Sequence, residues 1–172
     1  STEYELFLIA RDLKRNLALA QTIDEDTTNL DLRLEPGLAL AGRATDAKGK
    51  AITNAEADVM FWTERMGSSL GKAVRGDAQG RFEIKALPPS RHYGVNVSAK
   101  GYGRVTRDVS QEAEGRRIEL EVCELALADQ RIAGVVLDAD DKPVADASIF
   151  GYGEGQASVN GKTDAKGRFS FS

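Results

Sequence analysis

Few residues in this chain are placed for chemistry. His92 is the only histidine and Cys123 the only cysteine in 172 residues. A zinc site of the two-histidine kind, a multi-thiol metal site and an internal disulfide are therefore excluded. A Ser-His-Asp set would have to use His92, which follows Pro88-Pro-Ser-Arg91 at the start of a strand pattern. That position reads first as an exposed rim histidine. Gly67-Ser-Ser-Leu-Gly-Lys-Ala73 imitates a phosphate loop, but it is one residue short and lacks the Ser or Thr after lysine. No helical pattern follows it, so it reads as a hairpin. Gly151-Tyr-Gly-Glu-Gly155 lacks the strand-to-helix context of a dinucleotide site. Asp24-Glu-Asp26 and Asp138-Ala-Asp-Asp141 gather carboxylates, which suit calcium, yet neither has the spacing of an EF-hand loop. The expectation is no catalytic residue, no metal site and no cofactor.

Aromatic residues are the better binding candidates. Met60-Phe-Trp62 puts Phe61 and Trp62 on opposite faces of one strand, so one of them points outward or is covered by a neighbour. Tyr102 and Tyr152 each sit in a Gly-Tyr-Gly turn. An exposed Trp62 with Tyr102 and Tyr152 would stack sugar rings, apolar face against π face. The competing reading keeps Trp62 in the core and lets the tyrosines cap a sandwich end. Asn96-Val-Ser98 fits the glycosylation pattern but lies in a strand pattern, and it matters only in a eukaryotic secretory route.

Around Cys123, the run Ile118-Glu-Leu-Glu-Val-Cys123 alternates. Ile118, Leu120 and Val122 fall on the core face, and Cys123 on the outer face with Glu119 and Glu121, unless the strand changes face before Leu125 and Leu127. The neighbourhood is acidic, which argues against a reactive thiolate.

The elements that must position these residues are short strands. Leu30-Asp-Leu-Arg-Leu34, Glu56 to Thr63, His92 to Ala99 and Arg104 to Val109 each read as strand, with a turn signal between neighbours. Leu13 to Ala20 has the composition of a helix, but comparison with the rest of the chain favours strand. The turns carry the clearest signature. Asp77-Ala-Gln-Gly-Arg-Phe82 recurs as Asp164-Ala-Lys-Gly-Arg-Phe169. Aspartate can bond its own backbone two residues on, and glycine takes the positive φ that closes the turn. Ala41-Gly-Arg-Ala-Thr-Asp46 likewise matches Ala133-Gly-Val-Val-Leu-Asp138, with Asp141 in place of the turn glycine. The spacing of the matched pairs is about 90 residues, one small sandwich.

Composition agrees with a globular chain: apolar residues are 41%, charged residues 29%, and the net charge is -4. No basic stripe suggests nucleic acid, and no apolar run is long enough to span a bilayer. Ser1-Thr-Glu-Tyr-Glu5 lacks the basic and apolar parts of a signal peptide.

The phase of the repeat divides the chain into three. Residues 1–35 read as the last strands of a preceding sandwich and 36–124 as one complete sandwich. Residues 125–172 read as the first strands of a further repeat, with 1–35 as the segment that could complete it. The fold expected is all-β: tandem seven-stranded, Ig-like sandwiches, the second assembled from the N- and C-terminal segments.

At Gly42-x-x-x-Asp46-x-x-Gly49-Lys-x-Ile52-x-x-Ala55, Asp77-x-x-Gly80-x-Phe82, Leu87-Pro-Pro89, Tyr93-x-Val95-x-Val97-x-Ala99 and Gly101-Tyr102, the sequence resembles the carboxypeptidase regulatory-like family. These are transthyretin-like, or prealbumin-like, sandwiches. The resemblance covers residues 38–124 and, as a partial copy, 131–172. It implies a non-catalytic structural or interaction module, extracellular or in the periplasm or cell envelope, usually part of a larger protein. The implied partners are neighbouring domains of the same polypeptide or another copy of the chain, with carbohydrate as the alternative ligand.

Overall fold

The computed structural model describes residues 6–63, 67–89, 91–110, 116–153 and 155–171, and every element among them is a strand. Its centre is a two-layer sandwich. One layer runs β10 (Val105–Val109), β9 (His92–Ser98), β5 (Glu56–Trp62), β6 (Gly67–Ser69), with β7 (Val74–Arg75) also paired to β5. The other sets β4 (Leu38–Thr45) between β8 (Arg81–Leu87) on one side and β11 (Arg117–Glu119) and β12 (Cys123–Glu124) on the other. β6 and β7 occupy successive parts of one edge, and β11 and β12 do the same along β4. Counted by position, the layers are four and three strands wide.

Alternation builds the core. Ala57, Val59 and Phe61 of β5 and Tyr93, Val95 and Val97 of β9 point inward against Leu40, Phe82, Ile84 and Leu87 of the facing layer. Tyr93 is fully buried, and its hydroxyl donates to Pro88 O at 2.5 Å. Burial holds this phenol well above the usual tyrosine pKa.

Four turns share one geometry. Asp46 Oδ1 accepts the N–H of Lys48 and Lys50, each at 2.9 Å, and Gly49 takes φ 77°. Asp77, Asp138 and Asp164 each accept the corresponding pair of N–H groups. Asp141 stands at φ 60° where the other three turns have glycine, and the hairpin keeps its bonds. The repeat extends to packing: a Cβ on Gly42 would strike Phe82, and one on Gly134 would strike Phe169. In each case the phenylalanine is the residue opposite the glycine on the paired strand.

The N-terminal hairpin of β1 (Leu6–Asp12) and β2 (Leu17–Ile23), with β3 (Glu35–Pro36) beside β2, packs on this central sandwich. Phe7 stacks on Phe61 with centroids 5.1 Å apart, and Ile9 packs on the same core. The C-terminal residues form two ladders, β13 (Ile132–Val135) with β16 (Arg168–Phe171) and β14 (Ser148–Gly151) with β15 (Val159–Lys162). Among the described residues no ladder joins β1–β3 to β13–β16, the pairing that completion within one chain would use. The inward side chains of β1 are instead taken by the central core.

One local expectation differs from the structure, and the open reading of Cys123 is decided by it. Leu30 to Leu34 alternates but forms no strand; only Glu35–Pro36 pairs with β2. Val122 is 52% exposed while Cys123 and Leu125 are fully buried. The break between β11 and β12 shifts the alternation by one residue and turns Cys123 inward. Burial then pushes the thiol's pKa up, which leaves it protonated.

Candidate functional site

The outer face of the β10-β9-β5-β6 layer carries the candidate site. Strand alternation that sends Phe61 into the core sends Asp58, Met60 and Trp62 outward. Trp62 lies opposite Gly67 on β6 and His92 on β9. A side chain on Gly67 would overlap the six-membered ring of the indole, so the glycine lets that ring lie down on the sheet. On the other side, a Cβ on Gly94 would stand 3.5 Å from Trp62 Nε1, 3.7 Å from Asp108 Oδ1 and 3.9 Å from the Thr106 methyl. Trp62 remains 46% exposed. The result is an indole laid over Gly67 and beside Gly94, on the same face as the Asp108 carboxylate.

Polar groups continue the face along the strands. Asn96 Nδ2 donates to Asp58 Oδ2 at 3.2 Å, and Thr106 Oγ1 donates to Asn96 Oδ1 at 2.9 Å. The two bonds fix the amide's orientation across three neighbouring strands. They also occupy the Asn96 side chain of the glycosylation pattern, within β9. His92 Nε2 lies 3.8 Å from Asp108 Oδ1 on the surface.

Tyr152 reaches the same face from the C-terminal segment. It is 81% exposed and tilts against Phe150 at a centroid separation of 5.6 Å. With Asn96, Arg104, Thr106 and Gln156 it lines a cleft of about 400 Å³. The backbone joins the two parts here: Gly155 N–H donates to Arg104 O at 3.2 Å, and a Cβ on Gly103 would strike Gly155 O. Tyr102 is placed differently. It is half-buried, packs on the core and bridges to Leu127, so it contributes nothing to this face. Trp62 and Tyr152 are brought to one surface, and Tyr102 is not.

Gly67–Ser69 is an edge strand, and the Asp138 turn holds its own backbone. Among the described residues no three His, Cys, Asp or Glu side chains are grouped to hold a metal, and no helix is long and apolar enough to cross a membrane.

A second arrangement was not legible as a site at all. Arg11 lies within β1. It donates from Nε to Ala86 O at 2.8 Å, from Nη1 to Leu70 O at 2.6 Å and from Nη2 to Lys85 O at 2.7 Å. Partial burial lowers its pKa from the ordinary arginine value. Asn16, at the hairpin tip, accepts the Ala86 N–H and donates to Gly37 O. Ala86 itself has φ 55° and lies where β8 slips register against β4. Hairpin side chains thus satisfy both main-chain groups of a strained, buried alanine.

No family model matches the sequence, and no curated protein matches it. Among solved structures, the Bacillus anthracis TIE protein superposes with a TM-score of 0.44 at 20% identity over 96% of this chain. A streptococcal ancillary pilin gives 0.44 at 11% identity over 90% of this chain, and a catechol 1,2-dioxygenase from Pseudomonas arvilla gives 0.39 at 16% identity over 62%. The chain spans 31%, 57% and 56% of those proteins respectively.

Proposed function

We propose that this chain is a non-catalytic structural and interaction module of a larger, secreted or cell-envelope protein, where it spaces neighbouring units or engages another copy of itself. The observation that carries this reading is the lock between hairpin and central sandwich. The three Arg11 bonds run to the main chain of residues 59 to 75 positions away, so the guanidinium joins separate parts of the repeat. The resemblance of residues 38–124 to carboxypeptidase regulatory-like sandwiches supports the extracellular setting and the tandem, transthyretin-like arrangement. On the same reading, 125–172 are the opening strands of a further unit.

Thermal unfolding of Arg11→Ala tests the lock. The part-buried carbonyls of Ala86 and Leu70 and the exposed one of Lys85 lose a charged donor, so the variant melts several degrees lower, for a loss of about 2 kcal/mol. Unchanged melting would remove the support for a spacer.

A second reading, carbohydrate binding, is favoured by one specific observation. Trp62 lies down over Gly67 and beside Gly94, with polar side chains around it, which is the form of a sugar-stacking platform. A module of this kind can both space its neighbours and hold a glycan.

A further inference from the structure

Building on the carbohydrate reading, we propose that the outer face of the β10-β9-β5-β6 layer binds one linear, neutral oligosaccharide along its strands, stacked on Trp62 at one end and on Tyr152 at the other.

The register sets the length of the site. Trp62 stands opposite His92, and Asn96 is four residues further along β9. At the rise of an extended strand this is about 13 Å. Thr106 lies opposite Asn96 on β10, and Tyr152 flanks that row across the cleft. The two exposed aromatics therefore bracket a strip of sheet longer than one sugar ring.

The strip between them suits a polyhydroxylated chain. Gly94 leaves the floor low beside the indole. Asp58, Asn96, Thr106 and Asp108 supply acceptors and donors within reach of that floor, and the first three are oriented by their mutual bonds. Sugars have the matching chemistry: an apolar ring face for the π system and hydroxyls that both donate and accept. The carboxylates of Asp58 and Asp108 repel a polyanion along the strip, and Arg104 beside Tyr152 is the one cation lining the cleft.

Trp62 is the only tryptophan, so intrinsic fluorescence reads the site directly. The experiment titrates the whole chain with cellohexaose, maltohexaose, xylohexaose and mannohexaose, and with the disaccharide of each. It is repeated with Tyr152→Ala and Tyr152→Phe, and by calorimetry with Trp62→Ala. Tyr152 is largely in solvent, and circular dichroism checks that each variant stays folded. The expected result is saturable binding of at least one hexaose, with its disaccharide at least about tenfold weaker. Tyr152→Ala then weakens the hexaose by about tenfold and leaves the disaccharide unchanged, Tyr152→Phe binds as the parent does, and Trp62→Ala abolishes both. A hexaose held no more tightly than its disaccharide, or held equally well by Tyr152→Ala, overturns the two-ended site while leaving sugar binding at Trp62 in place. No response to any of these sugars overturns both.

Discussion

Asn16 Oδ1 accepts the backbone N–H of Ala86 at 2.6 Å, and both residues hold positive φ, 51° and 55°. A strained turn on the hairpin and a strained slip in the sandwich thus stabilise each other. Neither conformation is favourable alone, since a residue with a Cβ resists this region.

Asn16→Gly removes both side-chain bonds of the residue, from Ala86 N–H and to Gly37 O. Glycine keeps the backbone conformation and removes the acceptor, which leaves a buried N–H unpaired. The expected loss is about 1–3 kcal/mol, read from urea unfolding with an unchanged slope. A variant as stable as the parent would mean that these bonds contribute nothing to docking.

Asp141→Gly should act in the opposite sense. Asp141 occupies the left-handed position that Gly49, Gly80 and Gly167 fill in the other turns. Glycine there removes the Cβ penalty, so thermal melting should show a gain of about 0.5–1 kcal/mol, and Gly49→Asp a comparable loss. A destabilised Asp141→Gly would show that the aspartate side chain makes a compensating contribution.

These turns were legible in the sequence because their chemistry is local. An aspartate, a glycine three residues on and an alternating run specify the geometry without help from the rest of the chain. Pairing is not local, and there the reading failed. Leu30 to Leu34 alternates as well as any strand here, but among the described residues it pairs with no strand. Val122 and Cys123 exchange faces because a break between two short strands resets the phase. Arg11 and Asn16 look like ordinary turn residues, and nothing near them announces partners as far off as Ala86. The face proposed for binding was half legible. Trp62 and Phe61 are both apolar, so alternation separates them without saying which is outward. The floor of Gly67 and Gly94 exists only once the register is known. Tyr102 and Tyr152 share the Gly-Tyr-Gly setting, and only packing tells the half-buried one from the exposed one.

Gly67→Val tests how the indole lies. The new side chain would occupy the place of the Trp62 ring and lift it from the sheet. Because Gly67 is exposed on an edge strand, stability should change by no more than about 1 kcal/mol. Emission should move toward that of a hydrated indole, and quenching by acrylamide should rise. Unchanged emission and quenching would show that the ring does not rest on Gly67.

Acid should weaken the C-terminal turn in a defined direction. Backbone N–H groups of Arg168 and Lys166 hold the Asp164 pKa below its ordinary value of 3.8. A carboxylate with a depressed folded pKa contributes stability that is present above 3.8 and is lost as the pH falls toward the folded value. Asp12, bonded by the backbone and side chain of Arg15, acts in the same sense. Melting temperature should therefore fall below pH 4, and less steeply in Asp164→Asn, which keeps an acceptor oxygen but does not titrate. Equal slopes in the two proteins would contradict the assignment.

That the hairpin and the central sandwich form one rigid unit is tested most directly by amide hydrogen exchange on the intact chain. The lock through Arg11 and Asn16 predicts that the ladder amides of β1 and β2 are protected to the same degree as those of β4 and β5, and that Arg11→Ala selectively releases the hairpin. Exchange of β1 and β2 orders of magnitude faster than β4 and β5 in the unaltered chain would contradict it: the hairpin would then be a mobile appendage, and the chain could not hold its neighbours at a fixed spacing.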